Sequence, residues 1–288
     1  MCDHKRATIK KTNVLELNTS TGQEVESSSE RHSSELNTPP HPHVKKHGIL
    51  SRLRSYFFLD PLVFLYTAVL GLASLPATIF GDRERRLHKF ARAWSWLIIK
   101  TIFSPVTVTG LEKIDTTKPY VYAFNHSSAL DIPMLYTFLP FQFRIVFKKE
   151  LLSYPIVGWH LKRSGQVCID QQNPGHSIGS IRAALKGLKA GIPLVIFPEG
   201  GRSTDGHIQP LLPGAFFLAI KAQVDIVPIA LVGMFELLPM NTYHVKCRPL
   251  EMRVGQPIPT AGLSLRDLEA LSAKVQKELE QLYYADRS

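Results

Sequence analysis

The sequence is poor in cysteine, which limits the structures and the chemistry that it can support. Its 288 residues include three cysteines, Cys2, Cys168 and Cys247, and these lie far apart along the chain. Such an odd and scattered set supports neither a disulfide framework nor a metal cluster. We therefore expect no metal site and a reducing compartment for the folded part, with Cys168 as a small apolar residue of a buried strand.

Signatures of nucleic-acid binding are also missing, although the chain is strongly basic. The 34 Lys and Arg residues exceed the 24 Asp and Glu residues, which gives a formal net charge of +10. That charge favours an anionic partner such as nucleic acid, phospholipid head groups or coenzyme A. The sequence has no zinc-finger spacing, no basic helix-turn-helix and no stacking platform of interleaved aromatics and cations. Because basic residues instead lie next to apolar segments, we predict a membrane surface and no nucleic-acid partner.

The N-terminal part of the sequence has few apolar residues. Residues 1–48 are rich in Ser, Thr, His and Pro, and their positive and negative charges nearly balance. A segment of this composition cannot bury enough apolar surface to fold. The first 30 residues also lack the continuous apolar core of a signal peptide. We therefore predict that residues 1–48 form a disordered tail.

A single apolar run stands out in a chain that has no other of its length. It extends from Pro61 to Phe80 and contains no formally charged residue. This length suffices for a helix that crosses a bilayer, although Pro76 could also bend the run into a re-entrant hairpin. Basic residues flank both ends, so the positive-inside rule gives no orientation. We predict a membrane-anchoring helical segment over residues 49–104, embedded as one helix or as a helical hairpin.

The segment from Arg85 to Phe103 has the pattern of an amphipathic helix. Its apolar stripe consists of Leu87, Phe90, Ala91, Trp94, Leu97, Ile98 and Ile102. Its basic group lies elsewhere on the helical wheel and consists of Arg85, His88, Lys89 and Arg92. Tryptophans and cations together favour a helix at a membrane interface on anionic lipid. The alternative is an ordinary amphipathic helix that packs on the folded domain.

Short β-rich runs alternate with helical runs along residues 105–288. Strands are predicted near 105–109, 119–124, 143–147, 166–170, 193–197, 226–232 and 244–254. Helices are predicted near 132–138, 155–163, 176–189, 213–222 and 264–284. This alternation predicts an α/β domain in which helices flank a mixed β-sheet.

An apolar, strand-like run that begins at Val121 ends in a histidine and a carboxylate. His126 lies at its end, and Asp131 follows five residues later. An imidazole can take a proton from an alcohol, and a carboxylate on its other nitrogen fixes the tautomer and stabilises the imidazolium. This pattern predicts proton transfer that needs no nucleophilic Ser or Cys. The alternative is a satisfied core histidine followed by an aspartate that caps a helix starting near Pro133.

A second apolar run, from Leu194 to Phe197, leads into the sequence Pro-Glu-Gly-Gly-Arg-Ser at residues 198–203. Glycines allow the backbone to come close to a ligand, and an arginine offers a planar fork of donors that suits phosphate. This pattern predicts a strand that leads into a binding site. The alternative is a surface turn with a solvated arginine.

The two stretches together resemble the glycerolipid acyltransferase family, in particular the 1-acylglycerol-3-phosphate acyltransferases. The resemblance rests on Asn125-His-Ser-Ser-Ala-Leu-Asp131 followed by Phe197-Pro-Glu-Gly-Gly-Arg-Ser203, and it covers roughly residues 105–260. The family's second and fourth blocks are similar to residues 147–159, 165–170 and 226–230.

Two positions depart from the family's pattern. Gln171 stands where the second block has Arg, and Gly201 stands where the third block has Thr. The missing cation next to Asp170 weakens the assignment of the second block to phosphate binding. Both departures keep open a transfer to another lysolipid or lipid alcohol.

The resemblance implies roles for individual residues. His126 would be the general base that deprotonates an acceptor hydroxyl for attack on an acyl thioester, and Asp131 would orient it. Lys148 and Arg202 would bind the phosphate of the acceptor. Of the adjacent lysines, Lys148 matches the family's pattern better, and Lys149 would be solvated.

The other substrate-binding candidates are Asn125, Glu199, Gly200 and Gly201. Asn125 would hold the loop geometry or serve as a plain turn residue. Glu199 would position the arginine or bond a glycerol hydroxyl, and the two glycines would let the chain approach the substrate. Backbone amides near these glycines or near Gly165 would hold the thioester oxyanion.

The resemblance therefore implies a membrane-bound acyltransferase. It would transfer a fatty acyl group from acyl-CoA or acyl carrier protein to the 2-hydroxyl of lysophosphatidic acid, 1-acylglycerol 3-phosphate, and form phosphatidic acid in phospholipid biosynthesis. No metal, prosthetic group or other cofactor is implied. The catalytic domain would face the cytoplasm at the inner cell membrane, because the acyl donors are found there. A non-catalytic lipid-binding membrane protein is the alternative from a different class, and the intact His126, Asp131, Glu199 and Arg202 argue against it.

Overall fold

The computed structural model describes residues 48–76, 79 and 81–285, and a seven-stranded sheet forms the centre of this part of the chain. Its strands are β1 (Val106–Thr109), β2 (Val121–Phe124), β3 (Arg144–Lys148), β4 (Val167–Ile169), β5 (Leu194–Ile196), β6 (Ile226–Val232) and β7 (Leu250–Val254). Each strand lies in, or within one residue of, a region predicted from the sequence, and β7 fills only the second half of region 244–254. Residues 1–47 of the predicted tail lie outside the described residues.

Helices precede, connect and follow the strands. They are α1 (Ile49–Arg54), α2 (Asp60–Ala73), α3 (Arg83–Thr101), α4 (Asp131–Phe138), α5 (Pro155–Arg163), α6 (Ile178–Lys189), α7 (Phe217–Ala222), α8 (Met234–Leu237) and α9 (Leu268–Tyr284). A π-helical turn, Ser55–Leu59, joins α1 to α2. The sequence did not predict α8. The predicted α/β class, a mixed sheet flanked by helices, is confirmed.

The strand order brings the ends of several strands to one side of the sheet. The order is β1-β7-β6-β2-β5-β3-β4. β2 pairs in parallel with β5 and β6, and β3 pairs in parallel with β4 and β5. β7 is antiparallel to β6, and β1 is parallel to β7. Strands β2, β3, β4, β5 and β6 are therefore all parallel, and their C-terminal ends lie at the same edge of the sheet. We call this edge the carboxyl edge.

Apolar layers cover both faces of the sheet, and this explains the unbroken apolar sequences of β2 and β6. Every residue of these two strands is buried. One layer includes Ile98 of α3 and Leu135 of α4. The other includes Leu188 of α6, Leu218 of α7 and Val275 of α9. Strands that are buried on both faces need apolar residues at consecutive positions, without the alternation of a half-exposed strand.

Helix α3 packs on the domain through its apolar stripe, as the alternative interpretation of this segment predicted. Leu87, Ala91 and Ile98 are buried and belong to this contact. Lys89 and Trp96 lie on the exposed side of the helix. A contact between that exposed side and lipid stays a prediction.

The position of His88 differs from the sequence interpretation, which grouped it with the basic residues away from the stripe. Its side chain is buried, with its ring centroid 5.1 Å from that of Tyr136 and 4.9 Å from that of Phe143. Burial lowers the pKa of His88 to about 4, so the ring is neutral near pH 7. A count of polar residues on a helical wheel misses this, because an imidazole can pack as an aromatic ring.

The N-terminal helical run is fixed to the domain at a buried serine. This run, Ile49–Ala73, is 25 residues long, and in the described part of the chain it is the helix whose length and composition suit a membrane crossing. Ser55 lies at its π-helical turn. The Ser55 Oγ atom donates to the Tyr243 carbonyl at 2.9 Å and accepts from the Val245 N–H at 2.8 Å. Both of these partners belong to the loop before β7.

The same run presents two different sides. On the domain side, Leu59 is buried in the core, and the Trp94 indole of α3 donates to the Thr67 hydroxyl at 2.9 Å. The other side carries large apolar side chains that are more than half exposed, namely Phe57, Phe58, Phe64, Leu65, Val69 and Leu72. No described residue covers this apolar side. It is available to contact lipid.

Candidate active site

The predicted motif residues meet in a crevice at the carboxyl edge. His126 follows β2, Lys148 ends β3, and Glu199 follows β5. The chain leaves β2 toward α4 on one face of the sheet and leaves β5 toward α7 on the other face. Adjacent parallel strands whose connections leave toward opposite faces open a crevice between their ends, where ligands bind in α/β proteins.

A short hydrogen bond joins the predicted base to its carboxylate. His126 Nδ1 lies 2.7 Å from Asp131 Oδ2. The same oxygen accepts the backbone N–H groups of Ser127 and Ser128, each at 2.9 Å. The Asp131 side chain is fully buried, whereas one fifth of the His126 side chain is exposed (20%). Asp131 therefore orients the ring from inside the protein and leaves the outer side of the ring toward the crevice.

Phe197 supports the imidazole from one side, and the sequence analysis did not assign it a role. Its ring stacks on His126 with centroids 4.2 Å apart and an interplanar angle of 28°. Phe197 directly follows β5, so the strand that leads to Glu199 also supplies this contact. The signal in the sequence was its place at the end of an apolar run, next to the motif.

Glu199 ties the two motif loops together. Its Oε1 accepts the His126 backbone N–H at 2.6 Å, and its Oε2 accepts the Gln209 backbone N–H at 2.9 Å. In return, the Ser203 N–H donates to the His126 carbonyl at 2.7 Å. The resemblance implied a contact from Glu199 to Arg202 or to a substrate hydroxyl, but the carboxylate instead accepts hydrogen bonds from two backbone amides.

Burial changes the acidity of this carboxylate. It raises the pKa of Glu199 from 4.5 to about 7, although the two backbone N–H groups favour the charged form. The loss of hydration is thus larger than the gain from the two hydrogen bonds.

Asn125 joins β2 to β6 and does not point its amide to a substrate. Its Nδ2 donates to the Leu231 carbonyl at 3.0 Å, and its Oδ1 accepts the Leu231 N–H at 2.7 Å. The side chain is 2% exposed. The structure therefore replaces the predicted substrate contact of Asn125 with the loop-holding role that the sequence analysis also considered.

Two cations approach the glycine turn from different strands. A Cβ atom added at Gly201 would lie 3.8 Å from Lys148 Nζ, so this lysine reaches the turn. Arg202 is exposed, and no residue in the described ranges accepts a hydrogen bond from its guanidinium. Gly200 has a φ of +71°, and Gln171 Nε2 donates to its carbonyl at 3.4 Å. Lys148 and Arg202 are therefore suited to a phosphate at this turn, and Gln171 adds no charge there.

Lys149 has a carboxylate partner. Its Nζ donates to Asp170 Oδ2 at 3.0 Å, and about half of its side chain is exposed (54%). The Lys149 ammonium and the backbone N–H of Asn173 hold the pKa of Asp170 well below its usual range. The charge of Lys149 is thus balanced, and Lys148 and Arg202 supply the net positive charge of the crevice.

Gly165 lies at the opposite edge of the sheet. It precedes β4, whereas the site is formed by residues that follow strands. A Cβ atom at Gly165 would meet the Glu84 carboxylate of α3, far from the motif loops. The suggestion that its amide holds the oxyanion is therefore wrong, and the amides near Gly200 and Gly201 are the ones at the correct edge.

Comparisons with known proteins identify relatives of this chain. The family model described as Acyltransferase matches residues 105–232. The chain is 32% identical over 210 residues to the "1-acyl-sn-glycerol-3-phosphate acyltransferase LPAT1, chloroplastic" of Arabidopsis thaliana, covering 70% of this chain and 57% of that protein. It is 30% identical over 227 residues to the human "1-acyl-sn-glycerol-3-phosphate acyltransferase alpha", covering 78% of this chain and 80% of that protein.

A solved structure agrees in fold. The crystal structure of the 1-acyl-sn-glycerophosphate (LPA) acyltransferase PlsC from Thermotoga maritima superposes with a TM-score of 0.61 at 24% sequence identity, and covers 80% of this chain and 95% of that one. The chain spans less than two thirds of the plant relative and most of the human one. The motif residues lie around one crevice, and the relatives are similar in sequence over most of this chain. The chain therefore belongs to the glycerolipid acyltransferase family, which includes the 1-acyl-sn-glycerol-3-phosphate acyltransferases named above.

Proposed function

We propose that the protein transfers a fatty acyl group from a thioester to the 2-hydroxyl of 1-acylglycerol 3-phosphate and thereby forms phosphatidic acid. The observation that carries this proposal is the bond of 2.7 Å between His126 Nδ1 and Asp131 at an open crevice. The names of the relatives support the acceptor. The donor is acyl-CoA or acyl carrier protein, and the reaction uses no other cofactor.

The two nitrogens of His126 have different tasks in this reaction. Asp131 engages Nδ1, so Nε2 is the nitrogen that accepts the proton of the acceptor hydroxyl. The acceptor oxygen then forms a bond to the thioester carbonyl carbon, the carbon–sulfur bond breaks, and the imidazolium returns the proton to the leaving thiolate. Asp131 stabilises the imidazolium during this cycle, and no acyl-enzyme is formed.

The cations at the glycine turn bind the acceptor. Lys148 provides a point charge, and Arg202 provides a fork of donors that matches two phosphate oxygens. The neutral Gln171 at the same turn favours a second candidate, acylation of a lysolipid or lipid alcohol with a less charged head group.

A screen of purified protein with one labelled acyl-CoA and several lysolipids separates the two candidate acceptors. Transfer to none of them would leave the non-catalytic lipid-binding alternative.

We place the protein on a membrane because of the exposed apolar side of the run Ile49–Ala73. On that side, Phe57 is 77% exposed and Phe64 is 67% exposed. Exposure of several large apolar side chains of one helix to water is unfavourable. The acyl donors occur in the cytoplasm. We therefore propose the inner cell membrane, with the crevice on the cytoplasmic side.

The proposed base gives the first prediction. Replacement of His126 by Ala should lower turnover by about 10²-fold or more, because the nitrogen that takes the hydroxyl proton is removed. The folded state should persist, since the side chain is partly exposed. The matched control is His176→Ala, which removes an exposed histidine after β4 and should retain nearly full activity. Near-normal turnover of a folded His126→Ala protein would contradict the mechanism.

The phosphate contact gives the second prediction. Arg202→Lys keeps the charge but loses the fork of donors, so the KM for 1-acylglycerol 3-phosphate should rise roughly tenfold or more. The KM for the acyl donor should change much less. Arg182→Lys, the same change at an exposed position of α6, serves as the control. Equal changes of both KM values in the Arg202→Lys protein would remove this residue from the phosphate site.

The raised pKa of Glu199 gives the third prediction. An unfolded Glu199 loses its proton near pH 4.5 and the folded one near pH 7, so this group stabilises the folded state fully below pH 4.5. That contribution is lost as the pH rises through about 7. Glutamine does not titrate. The free energy of unfolding of Glu199→Gln, relative to wild type, should therefore rise by roughly 1–3 kcal/mol between these two pH values.

Chemical denaturation in detergent at several pH values measures this difference. Glu269→Gln, on the exposed side of α9, should show no comparable rise. A constant difference between Glu199→Gln and wild type across the range would show that burial does not control this carboxylate.

The apolar side of the N-terminal run gives the fourth prediction. Changing Phe57, Phe64, Val69 and Leu72 to Ser should abolish flotation with vesicles in high salt, since each side chain loses roughly 1.5–3 kcal/mol of burial in lipid. These residues are exposed, so the fold should be unaffected. A deletion of the whole run would be less clear, because it also removes the buried Leu59. If the fourfold variant floats as well as wild type in high salt, the membrane contact lies elsewhere.

A further inference from the structure

A pocket lined by several cations lies away from the proposed catalytic crevice. It is an open pocket of about 540 Å³ between the first half of α3 and the loop that connects α4 to β3. Its lining includes Arg85, His88, Lys89 and Arg92 from the helix and Phe141 from the loop. None of these residues has a task in the proposed acyl transfer.

The pocket and the crevice are at opposite ends of α4. This helix begins at Asp131, the partner of the base, and ends at Phe138, just before the loop that lines the pocket. Its eight residues correspond to about 12 Å at 1.5 Å per residue. The loop also leads into the amino end of β3, whereas the crevice is at the carboxyl edge. A ligand in the pocket would therefore not occupy the acceptor site.

The charge of the pocket is strongly positive. Arg85, Lys89 and Arg92 follow one another at intervals of four and three residues, which places them on one side of the helix. Asp82 is the acidic residue of the lining, so three positive charges against one negative charge give a net charge of +2. Among the described residues, no carboxylate forms an ion pair with the three cations.

Several contacts organise the pocket in the absence of a ligand. The Arg92 Nη1 atom donates to the Leu139 carbonyl at 2.6 Å, which fixes its guanidinium at the loop. Asp82 Oδ1 accepts the Arg85 backbone N–H at 3.1 Å and caps the helix. His88 packs edge-on against Phe143 below the cations and is neutral near pH 7. The three cations therefore lie above the packed, uncharged rings of His88 and Phe143.

Helix α2 packs against α3, where the Trp94 indole donates to the Thr67 hydroxyl at 2.9 Å. Leu72, near the end of α2, is 58% exposed. A lipid anion with its head group at the cations of α3 would have this apolar side of α2 for its acyl chains. That combination fits an amphiphile better than a free inorganic ion.

The geometry points to a binding site for the head group of a phosphate-monoester lipid, with its acyl chains along the exposed end of α2. A phosphate monoester carries nearly two negative charges at pH 7, which matches the net charge of the pocket, whereas a phosphodiester lipid carries one. The product of the proposed reaction is a lipid of this class. The statement that the ligand is also the product rests on the proposed function. The binding site itself does not depend on that function.

Vesicle binding tests the site without turnover. A protein with His126→Ala, Lys148→Gln and Arg202→Gln, which should not acylate and lacks the cations of the proposed acceptor site, is mixed with phosphatidylcholine vesicles that contain either phosphatidic acid or phosphatidylglycerol at matched total negative charge. We expect binding at least about fivefold tighter to the phosphatidic acid vesicles. Adding Arg85→Gln and Lys89→Gln should abolish this preference, and both residues are exposed, so the fold should persist. Equal binding to both kinds of vesicle before these changes would overturn the inference.

Two controls identify the source of the preference. Arg182→Gln with Lys186→Gln removes the same charge from exposed positions of α6 and should leave the preference intact. The second control is the His126→Ala protein with Lys148 and Arg202 intact, which should also prefer phosphatidic acid, because the proposed acceptor site binds the same phosphate group. Loss of the preference in either control, or its persistence in the Arg85→Gln and Lys89→Gln protein, would overturn the site. So would full displacement from the vesicles by inorganic phosphate at constant ionic strength, which would identify a site for free phosphate.

Discussion

The proposed catalytic crevice depends on one buried carboxylate. Asp131 has no solvent exposure, and its Oδ2 receives the His126 ring and the backbone N–H groups of Ser127 and Ser128. A carboxylate in such a place is unfavourable unless donors surround it. The turn from β2 into α4 provides these donors to Oδ2, whereas Oδ1 is buried and has no hydrogen-bond partner in the described part of the chain. The position of the proposed base follows from this turn as much as from its own packing.

Two further acidic residues of the carboxyl edge, Asp170 and Glu199, differ in their surroundings and in their roles. Asp170 has the Lys149 ammonium and backbone donors around it and stays charged, which balances a cation beside the crevice. Glu199 has two backbone donors but no cation, and burial makes it a weak acid. Asp170 thus limits the positive charge to Lys148 and Arg202, while Glu199 holds the backbone on which His126 is placed.

The sequence predicted those parts of the structure that depend on side-chain pattern. Strands β2 and β6 could be predicted because both of their faces are buried and their residues are therefore continuously apolar. The pair of His126 and Asp131 could be predicted because the two residues are close in the sequence. The bonds from Glu199 to the backbone of Gln209, and from Ser203 to the carbonyl of His126, were not predictable. Every residue type except proline offers the same backbone N–H and carbonyl, so such partners leave no signature in the sequence.

Other misses have a similar origin. Gly165 looked like a binding glycine, but only the strand order shows that it lies at the amino side of β4. The burial of His88 depends on Tyr136 and Phe143, which come from separate parts of the chain. A pattern within one segment does not contain this information. Topology decides which of several plausible residues share a site.

The hydrogen bonds of Ser55 attach the N-terminal run firmly to the domain, so that the run can act as a mount. With Ser51 also bonded to His244 at 2.9 Å, the run cannot swing about its end as a flexible tether would. A tether lets a domain sample many heights above a bilayer, whereas a mount keeps it at one height. On a membrane, the crevice would then reach hydroxyls at one depth of the leaflet. Depth would act as a filter on lipids, in addition to the chemistry of their head groups.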